Sequence, residues 1–503
     1  MQPRGSGEAA DDITDTVKRV VTTVWQRLLR FDAHVVASEP QRATASIIVA
    51  ATVLFVPLFS AWQVTNAAAG EARPLTTPMS TAAAPKDPIF SVRRVARTAA
   101  IEARVASLRA SLADYSASLP AGACLSAVAD TRAVARINAT TPLVPASNMK
   151  LLVAAAALDV LGPDHRFETV LLGERTGASI VGNLWLVGGG DPLLSTRAYP
   201  PTQRYSTMSP TYLDALADEI AASGITMVSG SVVGDESRSD TERYVPTWGD
   251  GIRAIEAGPL SALMVDDGIL MGEPLKPSDP AAGAATALTR LLRARGVTVI
   301  GDPRSGKSPA DGTVLARLTS APLSAVIADV LTNSDNNASE LLLKEMGLAR
   351  AQSPTRVAGL RVVADALTTR GVAMDGTALA DGSGLDAGNR VTCTTLTSLL
   401  DTYGFDSPIG QGLAVAGTTG TLKDVLTAGP ANGRVRAKTG TLRNVKSLSG
   451  FFPTKGGSIT FALMLNDAGV ANQSEYRPLW ENLMNALATY RESPQEEQLL
   501  PRR

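Results

Sequence analysis

The alternation of apolar and polar residues beyond residue 95 predicts helices mixed with antiparallel strands. Residues 96–118 follow the helical period, whereas 124–129 and 133–138 alternate as two strands joined by a tight turn. Residues 151–162 (LLVAAAALDVLG) are apolar on nearly every side, which is typical of a helix buried at the centre of a domain. Further strand patterns follow at 167–173 and 179–187.

The middle of the chain has a different character. Residues 196–320 are richer in Pro, Gly and Asp and contain only short strand patterns, so we predict an inserted domain there. The helical period returns at about residue 321, and three adjacent strands then precede a closing helix over 474–491. These strands are predicted at 434–442, 447–452 and 459–465.

The order of these elements predicts an α+β fold in which helices accompany an antiparallel sheet. The inserted domain splits the predicted catalytic domain into residues 96–195 and 321–492. Residues 493–503 form a polar tail.

A strongly apolar segment near the N-terminus predicts a transmembrane anchor. Residues 43–65 contain no charged side chain, and about 20 apolar residues cross a bilayer as a helix. Arginines precede the segment, and the first charge after it is Glu71, so residues 1–42 are expected to be cytoplasmic and the catalytic domain extracytoplasmic. A cleaved signal peptide, with its small-residue site at 67–69, is the alternative. Residues 66–95, rich in Ala, Thr and Pro, predict a linker.

Composition excludes several classes of function. The 503 residues are 45% hydrophobic, enough for a sizeable core, and a net charge of −1 with 4% aromatic residues argues against a nucleic-acid partner. Two cysteines cannot make a Cys₄ zinc site, and a Cys₂His₂ site is not expected because His34 precedes the apolar segment at 43–65. No metal or organic cofactor is implied. A Ser-His-Asp triad would depend on His165, which lies in a predicted loop and is interpreted as structural. Whether Cys124 and Cys393 pair is left open by the sequence.

The first candidate motif is Ser147-x-x-Lys150, at the start of the apolar helix. Positions i and i+3 share a helix face, so the Lys150 amine can reach the Ser147 hydroxyl. A serine is a weak nucleophile until a base takes its proton, and a buried lysine with a lowered pKa can be that base. No other lysine in the sequence has a serine three positions before it.

The second candidate motif is Ser334-Asp335-Asn336, between two helical patterns. Its hydroxyl and its amide, two residues apart, can face one cleft together. Ser334 can then relay a proton between Lys150 and a leaving amine, and Asn336 can hold a substrate amide. Taken alone, the same motif is typical of a helix cap.

The third candidate motif is Lys438-Thr439-Gly440-Thr441, inside a predicted strand. A cationic lysine beside a hydroxyl suits a terminal carboxylate. Gly440 has no side chain, so an extended peptide can lie against this strand.

The three motifs occur in the order that marks the penicillin-binding proteins and the serine β-lactamases. Over about residues 100–490, the chain resembles the low-molecular-mass penicillin-binding proteins of the D-Ala-D-Ala carboxypeptidase/endopeptidase class with a large inserted domain, the S13 peptidase type. The resemblance implies a serine β-lactamase/penicillin-binding (transpeptidase-like) fold for the split domain. Further stretches that carry the resemblance lie at 186–193, 381–385, 416–422, 437–442 and 447–450.

This resemblance implies acyl transfer on peptidoglycan stem peptides that end in D-Ala-D-Ala, and inhibition by β-lactam antibiotics. Ser147 is then the nucleophile, Lys150 the general base and Ser334 the proton relay. The backbone N–H groups of Ser147 and Thr441 form the implied oxyanion hole. The implied substrate contacts are made by Asn336, Lys438, Thr439 and Gly440.

One departure from the family pattern concerns the substrate side chain. Family members often have Ser-Gly-Leu-Ser-Arg where this chain has Ser-Gly-Leu-Asp-Ala at 383–387, and Arg390 is displaced by three positions. A changed charge at that pocket is therefore expected.

Two alternative functions use the same fold. A serine β-lactamase commonly carries a Glu-x-x-Leu-Asn segment that activates the deacylating water, and this sequence has no such segment. A non-catalytic wall-binding protein would not need all three motifs intact.

Overall fold

The computed structural model describes residues 92–492 and 494–499. The predicted transmembrane anchor at 43–65 and the cytoplasmic segment at 1–42 lie outside this part of the chain. Among the described residues, no helix is both long and apolar enough to cross a bilayer.

The described part of the chain contains eleven α-helices, six short 3-10 helices and fifteen strands. The helices are α1 (Val92–Ser116), α2 (Met149–Leu161), α3 (Asp214–Ala222), α4 (Pro280–Ala294), α5 (Leu323–Asn333), α6 (Asn336–Ala351), α7 (Arg356–Thr369), α8 (Cys393–Tyr403), α9 (Pro408–Gly412), α10 (Gln473–Glu492) and α11 (Glu496–Leu499). The strands are β1 (Ala123–Ala129), β2 (Arg132–Ile137), β3 (Glu168–Thr176), β4 (Ser179–Val187), β5 (Leu194–Ser195), β6 (Thr211–Tyr212), β7 (Met227–Val228), β8 (Val232–Asp235), β9 (Thr298–Val299), β10 (Arg304–Ser305), β11 (Val314–Thr319), β12 (Ala414–Val415), β13 (Arg436–Leu442), β14 (Val445–Thr454) and β15 (Gly457–Asn466).

The main sheet has six antiparallel strands in the order β12-β13-β14-β15-β1-β2. Strand β1, from the beginning of the described chain, pairs with β15 near its end, so Cys124 lies opposite Met464. Strands β14 and β15 are buried over most of their length because helices cover both faces. This sheet with its helices confirms the predicted α+β class.

Helix α2 is the centre of the core on one side of the main sheet. Ten of its residues, from Met149 to Leu158, are buried. An apolar surface on every side requires neighbours on every side, and α5, α6, α7 and α8 supply them. The expectation of a buried central helix is confirmed.

A second, mixed sheet is built from β3, β4 and β7 to β11. Strands β3 and β4 form an antiparallel hairpin, and β7 and β8 pair parallel with β4. Helices α3 and α4 pack against this sheet around Leu184, Leu216 and Leu288. The predicted inserted domain, 196–320, therefore shares its sheet with the two strands that precede it.

Ion pairs attach the segment after β8 to the helices of the main domain. The ammonium of Lys344, which is 1% exposed, lies 2.7 Å from an Asp240 carboxylate oxygen. Arg356 pairs with Glu242 at 2.7 Å. Because Lys344 lies on α6, the same helix that begins with Asn336, these contacts hold the inserted segment close to the candidate site.

A disulfide joins Cys124 on β1 to Cys393, the first residue of α8. Both cysteines are fully buried. The pairing that the sequence left open is therefore present, and it connects residues 269 positions apart.

Candidate active site

Ser147 lies in a single 3-10 turn, Ala146–Asn148, that leads directly into α2. Two serines of β14 form hydrogen bonds with residues of this turn and its flank. Ser447 donates its hydroxyl to the Pro145 carbonyl at 2.8 Å, and the Asn148 amide donates to the Ser449 hydroxyl at 2.9 Å. Ser147 itself is partly exposed although its neighbours are buried, so its hydroxyl remains accessible.

The Lys150 amine is the point at which the first two motifs meet. Its Nζ lies 3.0 Å from the Ser147 hydroxyl, 2.7 Å from Oδ1 of Asn336 and 2.5 Å from the Ser383 carbonyl oxygen. Lys150 is fully buried. Burial lowers the pKa of Lys150 to about 8, although the carboxylate of Asp381 opposes this shift.

Acylation of Ser147 by a β-lactam is expected to accelerate with rising pH around a midpoint near 8. Below the pKa of Lys150 the amine carries a proton and cannot accept another, whereas above it the lone pair is available to Ser147. The measurement is the acylation rate constant against pH for the folded protein. A rate that is constant across the midpoint would contradict Lys150 as the base.

The second motif occupies the break between α5 and α6. Ser334 has the left-handed backbone conformation, with φ 67°, which ends α5. Asp335 caps α6 by accepting a hydrogen bond from the N–H of Ala338, so the cap expected of this motif is present. Asn336 then begins α6 and directs its side-chain oxygen to Lys150. Within the described residues, the Ser334 hydroxyl has no hydrogen-bond partner.

The third motif lies on β13, which passes directly beside the turn that carries Ser147. A Cβ added to Gly440 would lie 2.1 Å from the Ser447 hydroxyl oxygen, 2.9 Å from the Pro145 oxygen and 3.0 Å from the Ser147 nitrogen. Real Cβ atoms do not approach other atoms so closely, so only glycine allows this contact. The strand and the nucleophile are thus adjacent because Gly440 has no side chain.

Lys438 and Thr439 lie on the same strand with different surroundings. Lys438 is fully buried and donates to the Thr439 carbonyl at 2.9 Å. Burial, and after it the positive charge of Lys150, lower the pKa of Lys438 well below its usual value. The Thr439 hydroxyl donates to that of Thr421 at 2.8 Å. Thr441, by contrast, is exposed.

Replacing Gly440 with alanine is expected to slow acylation of Ser147 by about 10²-fold, the size of loss that a misplacement of about 1 Å produces. The new methyl group would force β13 away from the turn of Ser147. Gly456→Ala is the matched control, because a Cβ there meets nothing within 4 Å. Equal acylation rates in the two variants would show that the close approach is not required.

The structure also identifies contributors that the motifs did not indicate. The Ser383 carbonyl contacts Lys150, and a Cβ on Gly384 would lie 1.9 Å from the Ala146 oxygen, so this loop touches the Ser147 turn. The stretch 381–385 carries part of the family resemblance, but the motifs assign no role to the Ser383 carbonyl. Ser447 and Ser449 are two positions apart on one strand, so their side chains face the same side of the sheet. That spacing is the sequence signal that could have identified them.

The departure at 383–387 has a structural consequence. Arg390 donates to the carbonyls of Ala387 and Asn389 in its own loop, at 2.6 and 2.8 Å. Asp386, at the position where the family pattern has its second serine, accepts a hydrogen bond from Thr247, a residue of the predicted inserted domain.

The Lys150 amine thus contacts both the Ser147 hydroxyl and the Asn336 amide. The strand that contains Gly440 lies against the turn of Ser147. This arrangement can activate the hydroxyl without histidine or metal ligands. It also offers a strand along which an extended acyl donor can bind.

Comparisons with known proteins find similarity over most of the described residues. The model of the D-Ala-D-Ala carboxypeptidase 3 (S13) family matches residues 105–278 and 273–487. A D-alanyl-D-alanine carboxypeptidase of an Actinomadura species is 35% identical over 412 residues, which cover 64% of this chain and 73% of that protein.

Solved structures show the same fold. The crystal structure of penicillin binding protein 4 (dacB) from Haemophilus influenzae matches with a TM-score of 0.63 and 23% identity, covering 75% of this chain and 99% of the other. A second structure of that protein, complexed with a β-lactam, matches with a TM-score of 0.58 and 21% identity over the same shares.

Proposed function

Because this chain belongs to the D-Ala-D-Ala carboxypeptidase 3 (S13) family, we propose that it cleaves peptidoglycan stem peptides through an acyl-enzyme on Ser147. The chain is a serine peptidase of the D-alanyl-D-alanine carboxypeptidase class. The observation that carries the assignment to Ser147 is the Lys150 amine, which contacts both Ser147 and Asn336 in a buried environment.

The first step is attack of the Ser147 oxygen on the carbonyl of the penultimate D-Ala. Lys150 takes the hydroxyl proton as the C–O bond forms, which leaves a tetrahedral oxyanion. The N–H groups of Ser147 and Thr441 are assigned to stabilise that oxyanion. Losing one such donor typically costs on the order of 10²–10³ in rate.

The second step releases the terminal D-Ala. Ser334, two residues before Asn336, is assigned to pass the proton from Lys150 to the departing amine. The terminal carboxylate is assigned to Lys438 and Thr439. A bound carboxylate favours the ammonium form of Lys438, so substrate binding restores the positive charge that burial disfavours.

Hydrolysis of the acyl-enzyme completes the cycle. Water attacks the ester carbonyl, Ser147 regains its proton, and a peptide shortened by one D-Ala leaves. A β-lactam acylates Ser147 by the same attack, but its opened ring stays attached to the acyl group. Its adduct is therefore expected to hydrolyse slowly.

Two incubations test this function. A pentapeptide stem should lose one D-Ala, as detected by mass spectrometry. Cleavage of a cross-linked dimer, detected in the same way, measures endopeptidase activity. A fluorescent penicillin should label the protein persistently. Rapid loss of the label would indicate a β-lactamase, and no labelling with no cleavage would indicate a non-catalytic protein.

We also propose that residues 43–65 anchor the protein in the membrane as a single span. The N-terminus is then cytoplasmic, and the catalytic domain, 96–195 with 321–492, lies outside together with the insertion at 196–320. The buried Cys124–Cys393 disulfide supports this placement, because such bonds persist in oxidising compartments.

The placement is tested by adding protease to intact spheroplasts. Digestion of the catalytic domain with protection of a tag at residue 1 is expected. Protection of both would contradict the orientation, and recovery of a tag-free soluble protein would support the cleaved signal peptide.

A further inference from the structure

The Ser383 carbonyl that contacts Lys150 belongs to a loop whose backbone N–H groups donate to two buried carboxyl side chains. We name residues 381–386 the acceptor loop. Glu340 on α6, only 1% exposed, accepts hydrogen bonds from the N–H groups of Gly382 at 2.9 Å and Ser383 at 2.7 Å. The Ser383 backbone thus has its N–H toward Glu340 and its carbonyl, which belongs to the following peptide group, toward Lys150.

Asp381 holds the rest of the acceptor loop. Its fully buried carboxylate accepts hydrogen bonds from the N–H groups of Gly384 at 2.8 Å and Asp386 at 2.7 Å. The indole N–H of Trp248 donates to the same carboxylate at 2.9 Å. Trp248 is 2% exposed and lies 133 positions from Asp381 in the chain.

Trp248 belongs to a segment that also reaches Asn336. We name residues 247–256, from the predicted inserted domain, the strap. At its far end, the Glu256 carbonyl accepts a hydrogen bond from the Asn336 amide nitrogen at 2.8 Å. This bond turns the amide oxygen of Asn336 toward Lys150, and the second N–H of that amide remains for a substrate carbonyl.

We propose that the strap, through the Trp248 indole and the Glu256 carbonyl, positions both acceptors of the Lys150 amine and so directs its lone pair to Ser147. A neutral lysine amine has two N–H bonds and one lone pair. The shorter contacts, 2.5 Å to Ser383 and 2.7 Å to Asn336, take the two N–H bonds. The lone pair is then directed to the third contact, Ser147, at 3.0 Å.

The chemical nature of the acceptors supports this role. A peptide carbonyl and an amide oxygen are both uncharged, so they orient the amine without the strong preference for ammonium that a carboxylate would impose. The carboxyl groups of Glu340 and Asp381 contact the N–H groups of the acceptor loop rather than the amine itself, and burial raises the pKa of Glu340 to about 8. Trp248 is thus a positioning residue, and this inference rests on the proposed role of Lys150 as general base.

Trp248→Phe tests the inference, because it keeps an aromatic ring and removes the N–H group that donates to Asp381, together with part of the ring volume. The acylation rate constant and the labelling endpoint are measured for the full chain with a fluorescent penicillin between about pH 6 and 10, a range chosen to span the Lys150 midpoint. We expect the maximal rate constant to fall about tenfold, less than the 10²-fold loss of a 1 Å misplacement. The endpoint should remain complete.

The pH profile separates positioning from a loss of folded protein. The loosened acceptor loop offers the Lys150 ammonium a poorer acceptor at the Ser383 carbonyl. This change favours neutral Lys150, so the midpoint should move to lower pH. Unfolding of a fraction of the molecules would lower the endpoint and leave the midpoint unchanged.

Two companion variants keep the test decisive. Trp185→Phe, on the second sheet, should match the wild type. Thr247→Val removes a second hydrogen bond between the strap and the acceptor loop without changing shape, and a decrease of about twofold to threefold is expected, as for one modest hydrogen bond. If Trp248→Phe and Thr247→Val both keep the wild-type rate and midpoint, the inference is overturned. Absence of labelling in the wild type would instead refute the proposed function.

Discussion

Replacing Ser147 with alanine is expected to abolish both penicillin labelling and removal of D-Ala, a loss of at least about 10⁴-fold. No other hydroxyl among the described residues contacts Lys150, so no neighbouring group can take over the nucleophile's place. The fold should persist, because the serine is partly exposed and its single hydrogen bond contributes about 1 kcal/mol. The measurements are gel fluorescence after labelling and mass spectrometry of a pentapeptide.

The control for this variant is Ser223→Ala. Ser223 is exposed at the end of α3, and its hydroxyl donates only to the Ile220 carbonyl. Full labelling of that variant would show that loss of a serine hydroxyl elsewhere is harmless. Persistent labelling of Ser147→Ala would show that another residue carries the acyl group.

Replacing Lys150 with arginine is expected to slow acylation by about 10³–10⁴-fold, the upper part of the range for a positioned base. Arginine keeps the positive charge but does not release its proton in proteins. Among the described residues, no other basic side chain lies within hydrogen-bond distance of the Ser147 hydroxyl. The rise of the rate around pH 8 should also disappear, because deprotonation of Lys150 is what supplies the base. Burial also raises the pKa values of Glu340 and Asp335 to about 8, but neither is hydrogen-bonded to the Ser147 hydroxyl.

Lys344→Arg makes the same chemical change at an equally buried helical position. Arginine can preserve the ion pair with Asp240, so the rate per labelled molecule should match the wild type. If Lys150→Arg retains the rate and the pH dependence of the native enzyme, a different base must deprotonate Ser147.

Several elements were predictable because their determinants are close together in the chain. The turn of Ser147 and the start of α2 follow from the Ser-x-x-Lys spacing and from the apolar run after it. One detail differs, since Ser147 occupies a 3-10 turn rather than the α-helix itself. The cap at Asp335 and strand β13 were likewise present as local patterns.

The second sheet was harder to delimit from sequence. Strands β3 and β4 have the strand pattern expected of them, but nothing local indicates that β4 pairs with β8 and β3 with β11 rather than with the main sheet. Strand pairing depends on which apolar faces can be buried together. That choice is made by the packing of the whole domain.

The amino-acid sequence by itself determined the α+β class, the three motifs and the residue types available for a histidine-free acyl transfer. Spacings of two or three residues specify such features, because backbone geometry over one turn or one strand pair depends little on the rest of the fold. Only the tertiary structure decided that the Ser383 carbonyl meets Lys150 across 233 positions, and that Trp248 supports it from the inserted segment. Such contacts join groups whose separation is set by core packing, so no local pattern of residues records them.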